Sequence, residues 1–232
     1  MDAVRGERHH GYGPTGHAHE LCATGGRRAH HHARAGQARV GLSGSLRWPR
    51  PAARSDPGRP PLGARGPTGL WEPVATLAVA LKAKTLLERS GASVLLTRTD
   101  TTAVELYPRT RFAELHDADI LVSIHANALP DGINPFTNSG TSVYYFHPRS
   151  TRLARELDRA LVAELGVRDL GIGRGDYALA RPTWMPAALT EALFIMLPDQ
   201  EAMLASEDGQ WRYARGVVNG IENFLRERAR EP

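Results

Sequence analysis

The sequence predicts an α/β protein: an open, mostly parallel twisted sheet with helices on both faces, preceded by an irregular N-terminal segment. Three observations support this prediction. From residue 66 onward, apolar runs of strand length alternate with helical repeats. Residues 120–124 are almost entirely apolar, as expected for a strand buried on both faces. Residues 1–65 are instead dominated by Ala, Arg, Gly, His and Pro and show no sustained hydrophobic period.

The regular part of the sequence begins with an amphipathic helix. Apolar residues between Val74 and Thr85 recur at helical spacing, and Pro73 suits the first helical turn. Ser90-Gly91 is a stop signal for this helix. After this helix we predict a strand over residues 93–97, a helix over 108–116 and the buried strand over 120–124.

The same alternation continues to the end of the chain. We predict a strand over 141–146, a helix capped by Ser150 with a stripe of leucines, and two short strands over 177–180 and 187–193 around the turn 181–186. Asp199 opens a short helix, and the last helix carries an apolar face from Trp211 to Leu225. These elements place one domain over residues 66–228, after an irregular segment over residues 1–65.

The charge distribution argues against some classes of partner. The formal net charge is +4, but residues 1–66 contain eleven arginines against four acidic residues, so the predicted domain is mildly acidic. The basic segment also lacks the interleaved aromatic residues of a nucleic-acid-binding surface, and we therefore expect no nucleic-acid partner. We expect no membrane span, since no apolar run is long enough. A single cysteine, Cys22, leaves no internal disulfide.

Three polar residues occupy positions where we expect strand and helix ends to converge. His125 follows the buried strand at its carboxyl end, where open α/β sheets bind ligands, although a structural histidine would also fit there. Glu191 interrupts the apolar run 187–194, and a carboxylate in such a strand is costly to bury unless it is paired or metal-bound. A hydrogen bond to a loop would also satisfy it. Glu72 opens a helix, where the helix dipole alone favours an acid.

The residues around these positions resemble a known family. The segments are Gly66-Pro67-Thr68-Gly69-Leu70-Trp71-Glu72, Leu96-Thr97-Arg98-Thr99-Asp100, Leu106 with Arg109, Ser123-Ile124-His125-Ala126-Asn127 and Pro186-Ala187-Ala188-Leu189-Thr190-Glu191. In this order, over about residues 63–228, they resemble the zinc-dependent N-acetylmuramoyl-L-alanine amidases of bacterial cell-wall turnover. The resemblance implies a zinc ion (Zn²⁺) held by a histidine, a glutamate and a second histidine. By position, Glu72 would be the glutamate ligand, His125 the second histidine and Glu191 the catalytic glutamate.

The resemblance also implies a substrate and a location. The partner would be peptidoglycan, and the bond hydrolysed would be the amide between N-acetylmuramic acid and the L-alanine of the stem peptide. This substrate lies in the cell envelope, so the expected location is periplasmic or extracellular, although no signal peptide is visible in the sequence.

The sequence departs from the family pattern before Glu72. The family's first histidine stands in a Pro-Gly-His-Gly-Gly turn after an apolar strand. Asp56-Pro57-Gly58 resembles that turn, but Arg59 occupies the place of the histidine. Residues 48–54 contain two prolines, which exclude a central strand there. We therefore expect both the first zinc ligand and the first strand to be missing.

Three interpretations of this departure remain open. The chain could be a catalytically inactive peptidoglycan-binding or regulatory homologue. Residues 1–65 could be an out-of-frame or misassigned translation of a GC-rich gene, in keeping with 27 arginines against two lysines. A histidine from the N-terminal segment could instead fold back as a substitute ligand, at the entropic cost of ordering that segment. The candidates are His9, His10, His17, His19 and His30 to His32.

Overall fold

The computed structural model describes residues 38–44, 63–130 and 132–230, all of which belong to one compact unit. A six-stranded sheet carries the fold, with strand order β2-β1-β3-β6-β4-β5. The strands are β1 (Arg39–Gly44), β2 (Ser93–Leu96), β3 (Ile120–Asn127), β4 (Thr141–Tyr145), β5 (Asp169–Arg174) and β6 (Ala187–Phe194). The helices are α1 (Glu72–Arg89), α2 (Leu106–Leu115), α3 (Pro135–Asn138), α4 (Thr151–Leu165), α5 (Pro198–Ala205) and α6 (Glu207–Arg228).

The prediction of a mostly parallel sheet with helices on both faces is confirmed. Only β4 and β6 pair in antiparallel fashion among the described strands. Val122 and its neighbours on one face pack against α1, α4 and α6 in the larger core cluster. Leu121 and Ala187 point to the opposite face, where Ala113 of α2 and Met185 cover them.

The first strand of the sheet is present, which corrects the sequence analysis. We assigned residues 39–44 to the irregular segment, but they form β1, which pairs in parallel with both β2 and β3. Val40 and Leu42 are fully or almost fully buried. This strand was missed because only two of its six residues are large and apolar, and arginine-rich sequence flanks it. Asp56-Pro57-Gly58, Arg59 and the N-terminal histidines lie outside the described residues.

The region between α4 and β6 also differs from the prediction. Residues 177–180, predicted as a strand, form a turn in which the N–H groups of Ala180 and Arg181 both donate to the carbonyl of Tyr177. The strand in this region is β5 instead. Its sequence was not recognised because Gly171, at φ +79°, and Gly173 interrupt its alternation.

Helix α6 packs closely against α4 and supports the ends of β3 and β6. A Cβ atom on Gly220 would lie 2.6 Å from Cα of Leu157, so only glycine allows this approach. The fully buried Tyr213 of α6 donates its hydroxyl to the carbonyl of His125 at 2.7 Å and lies 2.8 Å from the hydroxyl of Thr190. In the described part of the chain, no helix has both the length and the apolar character needed to span a bilayer.

Candidate active site

The candidate site lies at the carboxyl ends of β3 and β6. His125 and Glu191 are register partners on these adjacent parallel strands, so both side chains leave the same face of the sheet. With Leu189 they line a cavity of about 250 Å³. Open α/β sheets bind ligands at this position, beyond the carboxyl ends of their strands.

The first turn of α1 brings Glu72 to the same cavity. Pro73 follows Glu72 and fixes a backbone angle suited to the start of a helix. Glu72 is 3% exposed and His125 is 6% exposed, and Oε1 of Glu72 lies 3.3 Å from Nδ1 of His125. A buried carboxylate and a buried imidazole therefore form a direct pair on the cavity wall.

Backbone N–H groups hold the Glu72 carboxylate in place. Ala64 donates to Oε2 at 3.1 Å and Ala126 donates to Oε1 at 3.2 Å. Burial by itself raises the pKa of Glu72. The hydrogen bond and charge of His125 lower the pKa, and so do the N–H groups of Ala64 and Ala126. Together these effects outweigh burial, so the pKa of Glu72 lies below its ordinary value. Glu72 is consequently a preoriented anion at neutral pH.

The other nitrogen of His125 is also held. Nε2 lies 2.9 Å from the hydroxyl oxygen of Ser123, two residues earlier on the same strand and fully buried. A serine hydroxyl can donate to this nitrogen or accept from it. The imidazole therefore has a fixed orientation, with Nδ1 facing Glu72.

A side chain of α5 holds the loop before α1 in place through hydrogen bonds. Leu70 donates its N–H to Oε1 of Glu201, which is 1% exposed. Ala64 and Glu72 also pair through the N–H of Glu72 and the carbonyl of Ala64 at 2.9 Å. These contacts determine the position of the Ala64 N–H group, which donates to Oε2 of Glu72.

Apolar and aromatic groups complete the cavity. Leu106 lies at the start of α2, and Tyr177 and Leu179 come from the turn before β6. Leu179 is buried, whereas Tyr177 is 36% exposed. The cavity therefore has a polar wall at Glu72, His125 and Glu191 beside a largely apolar one.

The structure brings all three residues predicted as site residues to one cavity, although their chemical roles are proposals. Sequence reasoning did not identify Tyr177, because the turn that carries it was read as a strand. It also missed Ser123 and the backbone donors Ala64 and Ala126. The pattern Gly173-x-Gly175-x-Tyr177 was a usable signal, since closely spaced glycines before an aromatic residue indicate close packing against its ring.

Glu72 and His125 fit two positions of a zinc site. Ligand atoms of tetrahedral zinc at ~2.0–2.1 Å from the metal lie roughly 3.3–3.4 Å apart. The Oε1–Nδ1 distance of 3.3 Å has this value. No cluster of three or more His, Cys, Asp or Glu residues suited to a metal occurs within residues 38–44, 63–130 and 132–230. The first histidine implied by the resemblance is therefore not among them, and the sequence contains no histidine between His32 and His116.

Several known proteins are similar to this chain in sequence and fold. Residues 51–223 match the Amidase_3 family, described as N-acetylmuramoyl-L-alanine amidase. The chain is 34% identical over 160 residues to the uncharacterized protein YqiI of Bacillus subtilis, covering 67% of this chain and 75% of YqiI. It is 32% identical over 162 residues to the N-acetylmuramoyl-L-alanine amidase LytC of B. subtilis, covering 68% of this chain but 32% of LytC.

A solved structure agrees with these sequence relatives. The catalytic domain of CwlV, an N-acetylmuramoyl-L-alanine amidase from Bacillus (Paenibacillus) polymyxa var. colistinus, superimposes with a TM-score of 0.69 at 31% identity. The similarity covers 82% of this chain and 98% of the CwlV domain. Together with a family match over most of its length, these relatives show that the chain belongs to the Amidase_3 family of N-acetylmuramoyl-L-alanine amidases.

Proposed function

We propose that this chain hydrolyses the amide bond between the lactyl group of N-acetylmuramic acid and the L-alanine of the peptidoglycan stem peptide. One observation carries the proposal: the buried Glu72–His125 pair and the register partner Glu191 face one cavity. A paired carboxylate and imidazole beside a second carboxylate are the groups that metal-assisted amide hydrolysis requires. Because the substrate is a cell-wall polymer, we also propose a location in the cell envelope.

Glu191 is proposed as the general base and acid. Its carboxylate would take a proton from the attacking water and then deliver that proton to the nitrogen of the leaving L-alanine. Its position favours this role, since the side chain leaves β6 into a cavity whose neighbouring wall is apolar. An apolar environment raises the proton affinity of a carboxylate.

Glu72 and His125 are proposed as zinc ligands. Bound zinc would supply Lewis-acid polarisation of the scissile carbonyl and of the attacking water. Oε1 of Glu72 and Nδ1 of His125 would hold the metal, while Ala64, Ala126 and Ser123 keep both side chains oriented. The remaining protein ligand has to come from outside the described residues.

The described chain begins at the end of β1 that lies away from His125, which bears on whether an N-terminal histidine supplies that ligand. Arg39 pairs with Ser93 and Gly44 pairs with Ile124, so the chain enters β1 at the edge opposite His125. A strand of six residues is ~20 Å long. Replacing all seven N-terminal histidines by alanine tests this source: zinc binding is lost only if one of them reaches the cavity. They are His9, His10, His17, His19 and His30 to His32.

The proposal is tested on purified peptidoglycan with the zinc content measured in parallel. The expected product is new L-alanine amino termini without new reducing ends. Glu191→Gln is expected to retain zinc and to lower the rate by roughly 10²–10⁴. His125→Ala is expected to lose zinc, whereas His116→Ala, which changes an exposed histidine at the C-terminal end of α2, serves as the matched control. Binding of peptidoglycan with no hydrolysis at saturating zinc would instead identify an inactive homologue.

A further inference from the structure

Tyr177 places an aromatic ring on the wall of the cavity. It lines the cavity together with His125 and Glu191, and about a third of its surface is exposed. Its hydroxyl has no hydrogen-bond partner among the residues that the structure describes. An aromatic ring that faces a cavity with a free polar tip is suited to a ligand with both apolar and polar surface.

Two glycines make room for this ring and its neighbour. A Cβ atom on Gly175 would lie 2.3 Å from Cε2 of Tyr177, and one on Gly173 would lie 2.9 Å from Cε1 of Tyr144. The rings of Tyr144 and Tyr177 lie 5.1 Å apart at an interplanar angle of 59°. Tyr177 is therefore packed into a defined position against Tyr144 of β4 and Gly175, which follows β5.

The turn that carries Tyr177 is also anchored. Its carbonyl accepts the N–H groups of Ala180 and Arg181, each at 2.9 Å. The Arg181 side chain bonds Asp176 at 2.7 Å and the hydroxyl of Tyr107 at 3.1 Å. A ring held in this way loses little conformational entropy when a ligand binds.

Electrostatics keep the Tyr177 hydroxyl protonated. Burial raises the pKa of Tyr177, and the neighbouring Tyr144 and Glu191 raise it further. The hydroxyl is therefore a hydrogen-bond donor at neutral pH, close to the carboxylate that we propose as the base.

We propose that Tyr177 binds the muramyl sugar of the substrate, with its ring against the C–H face of the pyranose and its hydroxyl donating to a polar group of the sugar. This inference rests on the proposed function and identifies the part of the substrate that this wall recognises. A pyranose presents a face of C–H groups bordered by oxygen atoms, which matches the apolar ring and polar tip of tyrosine. The cavity of about 250 Å³ suits one sugar-sized unit beside the scissile bond.

The test measures binding without catalysis, on protein treated with a metal chelator so that the proposed zinc-dependent hydrolysis does not consume muramyl dipeptide. Three probes are titrated against the full chain and observed by NMR: N-acetylmuramic acid, muramyl dipeptide, and L-alanyl-D-isoglutamine without the sugar. Tyr177→Ala is expected to weaken the binding of muramyl dipeptide about tenfold, and Tyr177→Phe about threefold, because the second change removes only the hydroxyl. The binding of L-alanyl-D-isoglutamine should be unchanged. Phe136→Ala is the matched control, since Phe136 is 74% exposed and does not line the cavity.

Each outcome decides the proposal. It is overturned if muramyl dipeptide does not bind the parent chain, if Tyr177→Ala binds it as tightly as the parent does, or if the sugar-free dipeptide loses affinity equally. If the parent chain does not hydrolyse peptidoglycan but binds muramyl dipeptide through Tyr177, the proposed activity fails while this inference stands. In an active chain, Tyr177→Phe should raise KM and leave kcat nearly unchanged, a split that general loss of structure would not produce.

Discussion

Thr68 donates its backbone N–H to both carboxylate oxygens of Glu201, at 3.1 Å to Oε1 and 2.9 Å to Oε2. Together with the bond from Leu70, this contact ties the loop before α1 to α5. A Cβ atom on Gly66 would lie 2.2 Å from Oε1 of Glu201, so the carboxylate fills the space that this glycine leaves. Burial raises the pKa of Glu201, but the backbone donors lower it below its ordinary value.

Replacing Glu201 with glutamine should loosen this loop. The amide keeps one acceptor oxygen but presents an NH₂ group to a backbone donor, and the expected loss of unfolding free energy is about 1–3 kcal/mol. Chemical denaturation of the parent and Glu201→Gln measures this loss. Glu114→Gln, on the exposed face of α2, should change stability by less than ~0.5 kcal/mol. Equal stability of all three proteins would show that the loop does not depend on Glu201.

Removal of the Ser123 hydroxyl should weaken zinc binding through His125. Ser123→Ala leaves Nε2 of His125 without its partner, and loss of such an orienting group lowers metal affinity roughly 10–100-fold. Competition with a chromogenic zinc chelator measures the affinity. Ser142→Ala is the control, because Ser142 is also buried and its hydroxyl has no partner within the described residues. Equal zinc affinity in the two variants would contradict the role assigned to Ser123.

The buried acid Asp158 should make stability depend on pH. Burial, followed by the neighbouring Asp169, raises its pKa to about 7. The unfolded chain has a value near ~3.9, so between these values the folded state holds the proton more tightly. The contribution of Asp158 to the free energy of unfolding should therefore be largest below pH ~4 and be lost as the pH rises through 7.

Asp158→Asn removes this titration. The variant should match the parent near pH 4 and exceed it above pH 8 by on the order of 1–2 kcal/mol, a range already reduced for solvent screening. Denaturation at a series of pH values checks this, with Asp117→Asn at an exposed position as the control. A stability difference that stays constant from pH 4 to pH 8 would be inconsistent with a raised pKa at Asp158.

The sequence predicted elements well where a local pattern decided the structure. The apolar run of β3 and the leucine stripe of α4 were recognised because their own residues carry the signal. β1 was not, since its burial comes from β2 and β3, which are distant in sequence. The turn at Tyr177 was read as a strand because its residues are apolar, whereas the hydrogen bonds to its carbonyl decide its shape.

In the candidate site, too, the sequence predicted some features and not others. Glu72, His125 and Glu191 were predicted because ionisable side chains at helix and strand ends are visible in the sequence. Their mutual geometry depends on groups without a side-chain signature, such as the N–H groups of Ala64 and Ala126. Local sequence does not encode which backbone donors a distant strand will supply.

The place of β1 in the sheet affects how the protein folds during synthesis. β1 leaves the ribosome before β2 and β3 and lies between them in the sheet, so it has no strand partner until β2 has been made and is paired on both sides only after β3 has been made. The edge strand β2 joins the rest of the sheet through β1. Such long-range parallel pairing is slow to form and leaves strand edges exposed in the meantime. Until β3 has been made, one edge of β1 therefore stays open to pairing with strands of other chains.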